Sequence, residues 1–328
     1  MRSPLSVLDV VVSDLSILPE DKRVLLKSAV GRIKDIANNL LEKNRTIQSV
    51  TKSTEIPSSD KNSSAQLIGP LVEAILSEKR IQHRKKAGVG IHFIEPNHSY
   101  GVFANVQASE FKRVLSNLID NSVDAIGDLG AISVRILPSA DSWVEIKMTD
   151  TGKGISSDIL PKLGQKGQTF GKSGGSGLGL YHARKTLEGW GGLLKITSDV
   201  GKGTEVSLRL PRVASPKWFV ENLVFTPETT IVIVDDDNSI HRLWEGRLRE
   251  LVDWVRECRG TGKVLYLVDY EFTGQKTDGL KLIEELGLSG QSVLVTSRYE
   301  EQRICDDCER LGVSLMPKGL AGFVPIII

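Results

Sequence analysis

The sequence reads GQTFGKSGGSGLGL over residues 167–180, and the other motifs of the chain are arranged around this glycine-rich stretch. The residues that follow it, YHARKTLEGW, have the pattern of a helix. Glycine lets a backbone approach a ligand closely, and a helix N-terminus offers unpaired N–H groups to an anion. The stretch therefore predicts phosphate binding, although a plain Gly-rich linker would have a similar composition. It fits neither a Walker loop nor a Rossmann turn.

The overall composition is that of a soluble globular protein. The chain has 328 residues, 40% hydrophobic and 25% charged, which is enough for two or three domains with their own cores. Lys and Arg (42) nearly balance Asp and Glu (41), which argues against a general nucleic-acid or membrane-surface binder. No apolar run reaches the ~18 residues that cross a bilayer, and no secretory signal is recognisable. With 3 cysteines a disulfide framework is not expected, so a cytoplasmic location is predicted.

A second motif lies in the segment 110–126, EFKRVLSNLIDNSVDAI. Its apolar residues fall mostly on one side of a helix, whereas Asn117 and Asn121 are four residues apart and share another face. Two amides stacked in this way can bind triphosphate oxygens and hydrated Mg²⁺, because Mg²⁺ prefers oxygen ligands and keeps some of its waters. An ordinary polar helix face is the alternative.

Two further motifs lie at the ends of predicted strands. Asp150-Thr-Gly-Lys-Gly154 follows one strand, and Gly201-Lys-Gly203-Thr204 precedes another. A carboxylate at a strand end can accept a hydrogen bond from an exocyclic amine, while glycines let the backbone crowd a flat ring. For each motif alone, an ordinary turn is the alternative.

In this order the four motifs resemble the ATP-binding domain of the GHKL ATPases, and among them the catalytic domain of histidine kinases. The resemblance covers residues 66–213 and implies an α/β sandwich, with a mixed sheet on one face and helices on the other. It implies that Asn121 binds Mg²⁺, that Asn117 lies beside the phosphates of ATP, and that Asp150 binds the adenine amine. The other implied ATP-binding positions are Gly152, Gly154 and Thr204 in the pocket, and Thr169, Lys172, Gly175, Gly177, Leu178 and Gly179 in the lid. In hydrolysing relatives the position of Asn117 is a glutamate that activates water, so asparagine here favours a kinase.

Residues 1–45 are predicted to form a helical hairpin, because apolar residues recur at heptad-like spacing on both sides of Leu18-Pro19. Such short helices are marginal alone, so we expect the hairpin to dimerise into a four-helix bundle; packing on its own domain is the alternative. Residues 46–65 are rich in Ser, Thr and Lys, which predicts a flexible linker.

The start of the hairpin resembles the end of a histidine-kinase H-box, whose pattern is His, acid, any residue, Arg, Ser/Thr, Pro, Leu. Arg2-Ser3-Pro4-Leu5 matches its last four positions. On this alignment the phosphoacceptor histidine would precede Met1, and none of the 5 histidines falls on the hairpin helices. The expectation is a coding sequence that begins further upstream; the alternative is a kinase without its own acceptor that works in trans.

Residues 228–328 are predicted to form a second, α/β domain. The apolar runs 231–234, 264–268, 292–295 and 313–316 have the pattern of buried parallel strands separated by helices. Polar residues follow each run, and ligands collect at the carboxyl ends of such strands. Carboxylates at this edge can bind Mg²⁺, and an aspartate can accept a phosphoryl group.

This arrangement resembles the flavodoxin-like receiver domain of response regulators. The resemblance implies that Asp235 and Asp236 bind Mg²⁺, and that Asp269 is both a metal ligand and the phosphoacceptor. It also implies that Thr296 and Lys318 contact the phosphoryl group. The domain is expected to be a reduced receiver: Asp269 lies only 33 positions after Asp236, which predicts a missing second strand, and a full final helix is not expected.

Together the motifs predict an α+β and α/β multidomain protein with a dimerising hairpin, a GHKL sandwich and a reduced receiver. The predicted function is that of a hybrid histidine kinase, with ATP and Mg²⁺ as cofactors, that transfers the γ-phosphoryl group to histidine and then to aspartate. Its catalytic residues would be Asn117, Asn121 and Asp269. The expected partners are a second copy of the chain and a downstream response regulator or phosphotransfer protein, without nucleic acid. The alternative is a nucleotide-responsive scaffold that binds ATP and a partner without phosphotransfer.

Overall fold

The structure is a computed structural model, and it describes residues 63–138, 142–163, 178–226, 229–249, 263–272 and 277–327. The predicted hairpin, the H-box resemblance and most of the predicted linker lie outside these residues. Within the described ranges, no helix is both long enough and apolar enough to cross a membrane.

The first unit is built on one mixed sheet that is covered by helices. Its strands are β1 (Ser64–Leu67), β2 (Val89–Ile94), β3 (Phe103–Val106), β4 (Gly130–Pro138), β5 (Trp143–Asp150), β6 (Leu193–Asp199) and β7 (Gly203–Val213). Its described α-helices are α1 (Ile68–Gln82), α2 (Ala108–Ile126) and α3 (Leu178–Gly189). Short 3₁₀ turns occupy Pro96–Ser99 and Leu160–Lys162.

The long strand β7 organises the sheet. The strand order is β1-β3-β7-β5-β4-β2, and β6 also pairs with β7. The pair β2–β4 is parallel, and the other pairs are antiparallel. In the register of β5 with β7, Asp150 lies opposite Thr204. Two motifs that are 54 residues apart in the chain are thereby neighbours.

The helices pack on one face of this sheet because the side chains of the strands alternate. Every second residue of β5 from Val144 to Asp150 is buried, and those between are at least partly exposed. The buried side chains meet the apolar faces of α1, α2 and α3 in one core. The residues that α2 buries are Phe111, Val114, Leu115, Leu118, Ile119, Ser122 and Val123. The mixed sheet with helices on one face, expected from the resemblance, is confirmed.

The start of this unit differs from the sequence-based prediction. The sequence predicts a linker that extends to residue 65, whereas β1 begins at Ser64. Strand β1 pairs antiparallel with β3, with Ser64 opposite Val106. The polar residues at the start of β1 show no strand pattern, so the pairing depends on a partner distant in the chain.

The second unit contains the remaining elements. They are β8 (Leu223–Val224), β9 (Thr230–Val234), α4 (Asn238–Arg249), β10 (Val264–Asp269), α5 (Gly279–Glu285), β11 (Ser292–Thr296), α6 (Gln302–Leu311), β12 (Ser314–Pro317) and β13 (Ile326–Ile327). Short 3₁₀ turns occupy Ser289–Gln291 and Lys318–Leu320.

A four-stranded parallel sheet forms the centre of the second unit, in the order β12-β11-β10-β9. Each of the four apolar runs in the sequence supplies one of these strands. Between β9 and β10 no strand is found in the described part of the chain, which omits residues 250–262. The likeness to a receiver remains a prediction, because parallel sheets of this kind carry many functions.

An aromatic cluster joins the two units. The junction cluster, as we call it, has the buried members Leu67, Phe103, Phe219 and Leu320. Phe103 of β3 meets Trp218 and Phe219 edge-on, with ring centroids 6.3 and 5.0 Å away. Trp218 and Phe219 belong to the connector, residues 214–222, which joins β7 to β8. The connector also runs along β12: the Leu315 N–H donates to the Trp218 carbonyl at 2.6 Å, and the Val220 N–H donates to the Leu315 carbonyl at 3.1 Å. The connector therefore packs on both units.

Candidate functional site

Asp150 ends β5 as a buried carboxylate that accepts three hydrogen bonds within the protein. The residue is 3% exposed. Its Oδ1 accepts the N–H groups of Gly152 at 2.9 Å and of Thr204 at 3.2 Å. Its Oδ2 accepts the hydroxyl of Ser122, on α2, at 2.9 Å. Donors from three separate segments therefore hold this carboxylate in place.

The loop after β5 passes so close to its neighbours that two positions require glycine. A Cβ on Gly152 would lie 2.8 Å from the carbonyl carbon of Ala125, at the end of α2. Gly154 has a φ of +69°, and an added Cβ would overlap the carbonyl oxygen of Asp199. The loop is thus packed tightly between α2 and the β6–β7 turn, and only glycine allows the backbones to approach so closely.

Thr204 and Ser198 fasten the β6–β7 turn beneath this loop. Their hydroxyl oxygens are 3.0 Å apart. The Ser198 hydroxyl donates to the Gly203 carbonyl at 2.7 Å and accepts the Ile155 N–H at 2.9 Å. Thr204, through its own N–H, connects this network to Asp150.

The two amides of α2 lie outside its buried face. Asn117 is partly exposed, and Asn121 is exposed. A Cβ on Gly179 would lie 3.8 Å from the side chain of Asn117, so α3 begins directly beside α2. The other predicted lid residues, Thr169, Lys172, Gly175 and Gly177, lie outside the described residues, as does the side chain of Leu178.

A second contact between α2 and α3 is made by Glu110, Arg113 and His182. The Oε2 atom of Glu110 lies 3.1 Å from both Arg113 Nη2 and His182 Nε2, and the arginine also contacts the histidine. Burial and the neighbouring Arg113 lower the pKa of His182, while Glu110 opposes them, so the ring is largely neutral at pH 7. This contact holds α3 against α2, and Arg113 lies about one helical turn before Asn117.

Ser122 is a member of the pocket that the sequence motifs do not identify. It follows Asn121 directly but lies on the buried face of α2, where it is 4% exposed. The available signal was a hydroxyl on an otherwise apolar helix face, since a buried polar group needs a partner. The identity of that partner, Asp150, is decided only by the packing of α2 on the sheet.

A second group of charged residues, the acid pocket, consists of Asp235, Asp236, Asp269 and Lys318 at the carboxyl edge of the parallel sheet. Lys318 is 9% exposed, donates to Asp269 Oδ2 at 2.8 Å and lies 3.0 Å from Asp235 Oδ2. Buried Thr296 ends the neighbouring strand β11, and its Oγ1 accepts the N–H of Arg298 at 3.0 Å. The residues predicted from the receiver resemblance therefore end adjacent strands.

Burial sets the titration of this pocket. It raises the pKa of Asp269 to about 6, although the hydrogen bond and charge of Lys318 act to lower it. Burial also acts to lower the pKa of Lys318, but the contacts with Asp269 and Asp235 outweigh it, and the pKa is raised. The lysine therefore stays charged and offsets part of the negative charge of the carboxylates.

The acid pocket also fits a magnesium ion. Asp235, Asp236 and Asp269 can each place a carboxylate oxygen so that the three oxygens lie within 4.8 Å of one another. Oxygen ligands of this type are the ones that Mg²⁺ prefers. Asp236 is the exposed member, so the group is accessible from solvent.

Comparison with protein families gives a match over residues 107–214, to the family described as "Histidine kinase-, DNA gyrase B-, and HSP90-like ATPase". The match begins just before α2 and ends just after β7. It therefore includes both amides, the Asp150 network and the glycines around it, whereas the acid pocket lies beyond it.

Several curated relatives of the chain are sensor kinases. It is 40% identical over 102 residues to "Sensor histidine kinase ZraS" of Salmonella typhimurium, covering 31% of this chain and 22% of the relative. It is 29% identical over 205 residues to "Sensor kinase CckA" of Brucella abortus, covering 54% and 20%. The chain thus spans about a fifth of the length of these relatives. Among solved structures, "Mycobacterial sensor histidine kinase MprB" matches with 19% identity and a TM-score of 0.39, covering 47% of this chain and 99% of that one.

Proposed function

With a GHKL-type ATPase domain at residues 107–214 as the premise, we propose that this chain binds Mg·ATP as the catalytic part of a histidine kinase in two-component signalling. The observation that carries the proposal is the buried Asp150 carboxylate, which accepts hydrogen bonds from three donors. One of these donors, Ser122, lies on α2, the helix that also carries Asn117 and Asn121. Asp150 would accept the adenine amine, Asn117 would lie beside the phosphates, and Asn121 would hold the Mg²⁺. When bound, the ion neutralises charge on the phosphates.

Replacing Asn121 with alanine is expected to weaken Mg·ATP binding roughly tenfold or more, because the variant lacks the amide oxygen proposed to bind the Mg²⁺. Asn121 is exposed, so the fold should be little affected. Calorimetric titration of the full chain with a non-hydrolysable ATP analogue and Mg²⁺ measures the change, with Asn222→Ala, an exposed asparagine of the connector, as the control. Unchanged affinity in Asn121→Ala would contradict the assigned pocket.

We further propose that the phosphoryl group passes from a phosphohistidine to Asp269 in the second unit. A carboxylate oxygen of Asp269 would attack phosphorus, the bond to the histidine nitrogen would break, and that nitrogen would take up a proton. Lys318, 2.8 Å from Asp269, would balance the charge on the phosphoryl oxygens, and Thr296 would contact them. The support for this step is the convergence of these groups at one sheet edge.

Asp269→Asn is expected to abolish phosphorylation of the second unit, because an amide oxygen is a far weaker nucleophile than a carboxylate. With phosphoramidate as donor and Mg²⁺ present, the wild-type chain should gain the mass of one phosphoryl group, which hydroxylamine then removes. Asp306→Asn, at an exposed aspartate of α6, is the control and should label like wild type. Undiminished labelling of Asp269→Asn in mass spectrometry would place the acceptor elsewhere.

The alternative is a nucleotide-responsive scaffold without phosphotransfer. The junction cluster favours it, because it packs the ATPase unit against the second unit and so offers a mechanical connection between them. Incubation with γ-³²P-labelled ATP discriminates between the two functions. Label on the chain, or on an added histidine-containing partner, supports the kinase, whereas ATP binding without any label supports the scaffold. The proposed partners are a second copy, through residues 1–45, and a downstream regulator or phosphotransfer protein.

A further inference from the structure

We propose that Ser122 is a positioning residue that makes the pocket select adenine, because it occupies one acceptor site of Asp150 and leaves a single site for the base. This inference rests on the proposed function, since it concerns the nucleotide of the same pocket. Ser122 belongs to the segment 110–126, but the sequence motifs assign it no role. Its proposed role follows from the number of hydrogen-bond acceptor sites on one buried carboxylate.

An ionised carboxylate has two oxygens and about four lone-pair sites. The N–H groups of Gly152 and Thr204 use both sites of Oδ1. The hydroxyl of Ser122 uses one site of Oδ2. Counting the donors in the described part of the chain, about one acceptor site on Oδ2 therefore remains for a ligand.

Ser122 is held in this role by its burial. The side chain lies on the apolar face of α2, where its hydroxyl cannot form a hydrogen bond with solvent. A buried hydroxyl without a partner is costly, and Asp150 Oδ2, at 2.9 Å, is the partner that the packing provides. The hydroxyl in turn restrains rotation of the carboxylate, which fixes the direction of the remaining acceptor site.

A single acceptor site suits adenine and not guanine. Adenine carries an amine at carbon 6, which donates one hydrogen bond to such a site. Guanine carries a carbonyl oxygen at this position, and its two neighbouring donors, on N1 and on the 2-amine, need two acceptors side by side. With one site available, a guanine donor would be left unpaired in the pocket, and unpaired buried donors are strongly disfavoured.

The test compares three nucleotides on the full chain: ATP, GTP and purine riboside triphosphate, which has hydrogen in place of the 6-amine. Wild type is expected to bind Mg·ATP roughly tenfold or more tightly than either of the others, as befits a hydrogen bond to a charged acceptor. In Ser122→Ala the preference for ATP over purine riboside triphosphate should fall to about twofold to threefold, because the carboxylate is no longer oriented. Affinity for purine riboside triphosphate itself should stay unchanged. Ser77→Ala, at a serine of α1 that donates to Glu73, is the control.

The outcomes separate the two levels of the proposal. A wild-type chain without ATP affinity would overturn the proposed function, and this inference with it. A wild-type chain that binds GTP or purine riboside triphosphate as tightly as ATP would leave the function standing and overturn the selectivity argument, whatever the fate of the variant. Equal losses for ATP and purine riboside triphosphate in Ser122→Ala would show that Ser122 only supports the fold.

Discussion

Replacing Phe103 with alanine is expected to lower the free energy of unfolding by about 3–5 kcal/mol, the usual cost of removing a buried phenyl ring. Phe103 is 1% exposed and makes edge-on contacts with both Trp218 and Phe219 of the connector. Because these rings belong to the junction cluster, the loss should loosen both units. Hydrogen exchange followed by mass spectrometry should show faster exchange in β3 and also in the connector and β12.

Phe111→Ala is the matched control for this prediction. Phe111 is fully buried like Phe103, but it lies on α2 within the core of the first unit. We expect a similar loss of stability, with faster exchange confined to the first unit. If the exchange of the connector and β12 is the same in Phe103→Ala as in wild type, the junction cluster does not couple the two units.

Lys318→Ala is expected to destabilise the second unit by about 3–5 kcal/mol, because it leaves two buried carboxylates without their cation. Lys318 lies 2.8 Å from Asp269 Oδ2 and 3.0 Å from Asp235 Oδ2, and the side chains of both aspartates are nearly inaccessible to solvent. Urea denaturation followed by tryptophan fluorescence measures the change, since Trp244 is buried in the same unit. Adding Mg²⁺ should restore part of the lost stability if the carboxylates bind it.

Two further variants show whether the charges cause this effect. Lys281→Ala removes a lysine that is exposed and lies 3.4 Å from Asp278, and it should cost at most about 1 kcal/mol. Adding Asp269→Asn to Lys318→Ala should recover stability, because one of the unpaired charges is removed. If the double variant is no more stable than Lys318→Ala, lost packing of the lysine stem is the cause and the electrostatic account fails.

The local parts of the site could be predicted from the sequence because each depends on neighbouring residues. The spacing of Asn117 and Asn121 places them on one helix face whatever the helix packs against. The glycines after Asp150 predict a loop that packs closely against another segment. In the structure that segment is the end of α2. The apolar runs of the second unit likewise predict buried parallel strands, and the structure pairs these strands in parallel.

The prediction failed where a contact depends on a distant partner. The linker was expected to continue to residue 65, because the polar start of β1 has no pattern of its own and becomes a strand only by pairing with β3. The role of Ser122 is not predictable from α2 alone, because it depends on a residue 28 positions later. The junction cluster also could not be predicted from the sequence, because Phe103 and Phe219 belong to different units.

Residue order alone shows which side chains are available and on which face of each helix, or at which end of each strand, they lie. That information is local, because helix periodicity, strand alternation and the need for glycine act over a few residues. The packing of the whole chain brings Ser122 and Thr204 to the oxygens of Asp150, and it places Lys318 between Asp235 and Asp269. A buried donor or charge pairs with whichever partner the packing of the sheet brings within about 3 Å, and that packing depends on the whole core.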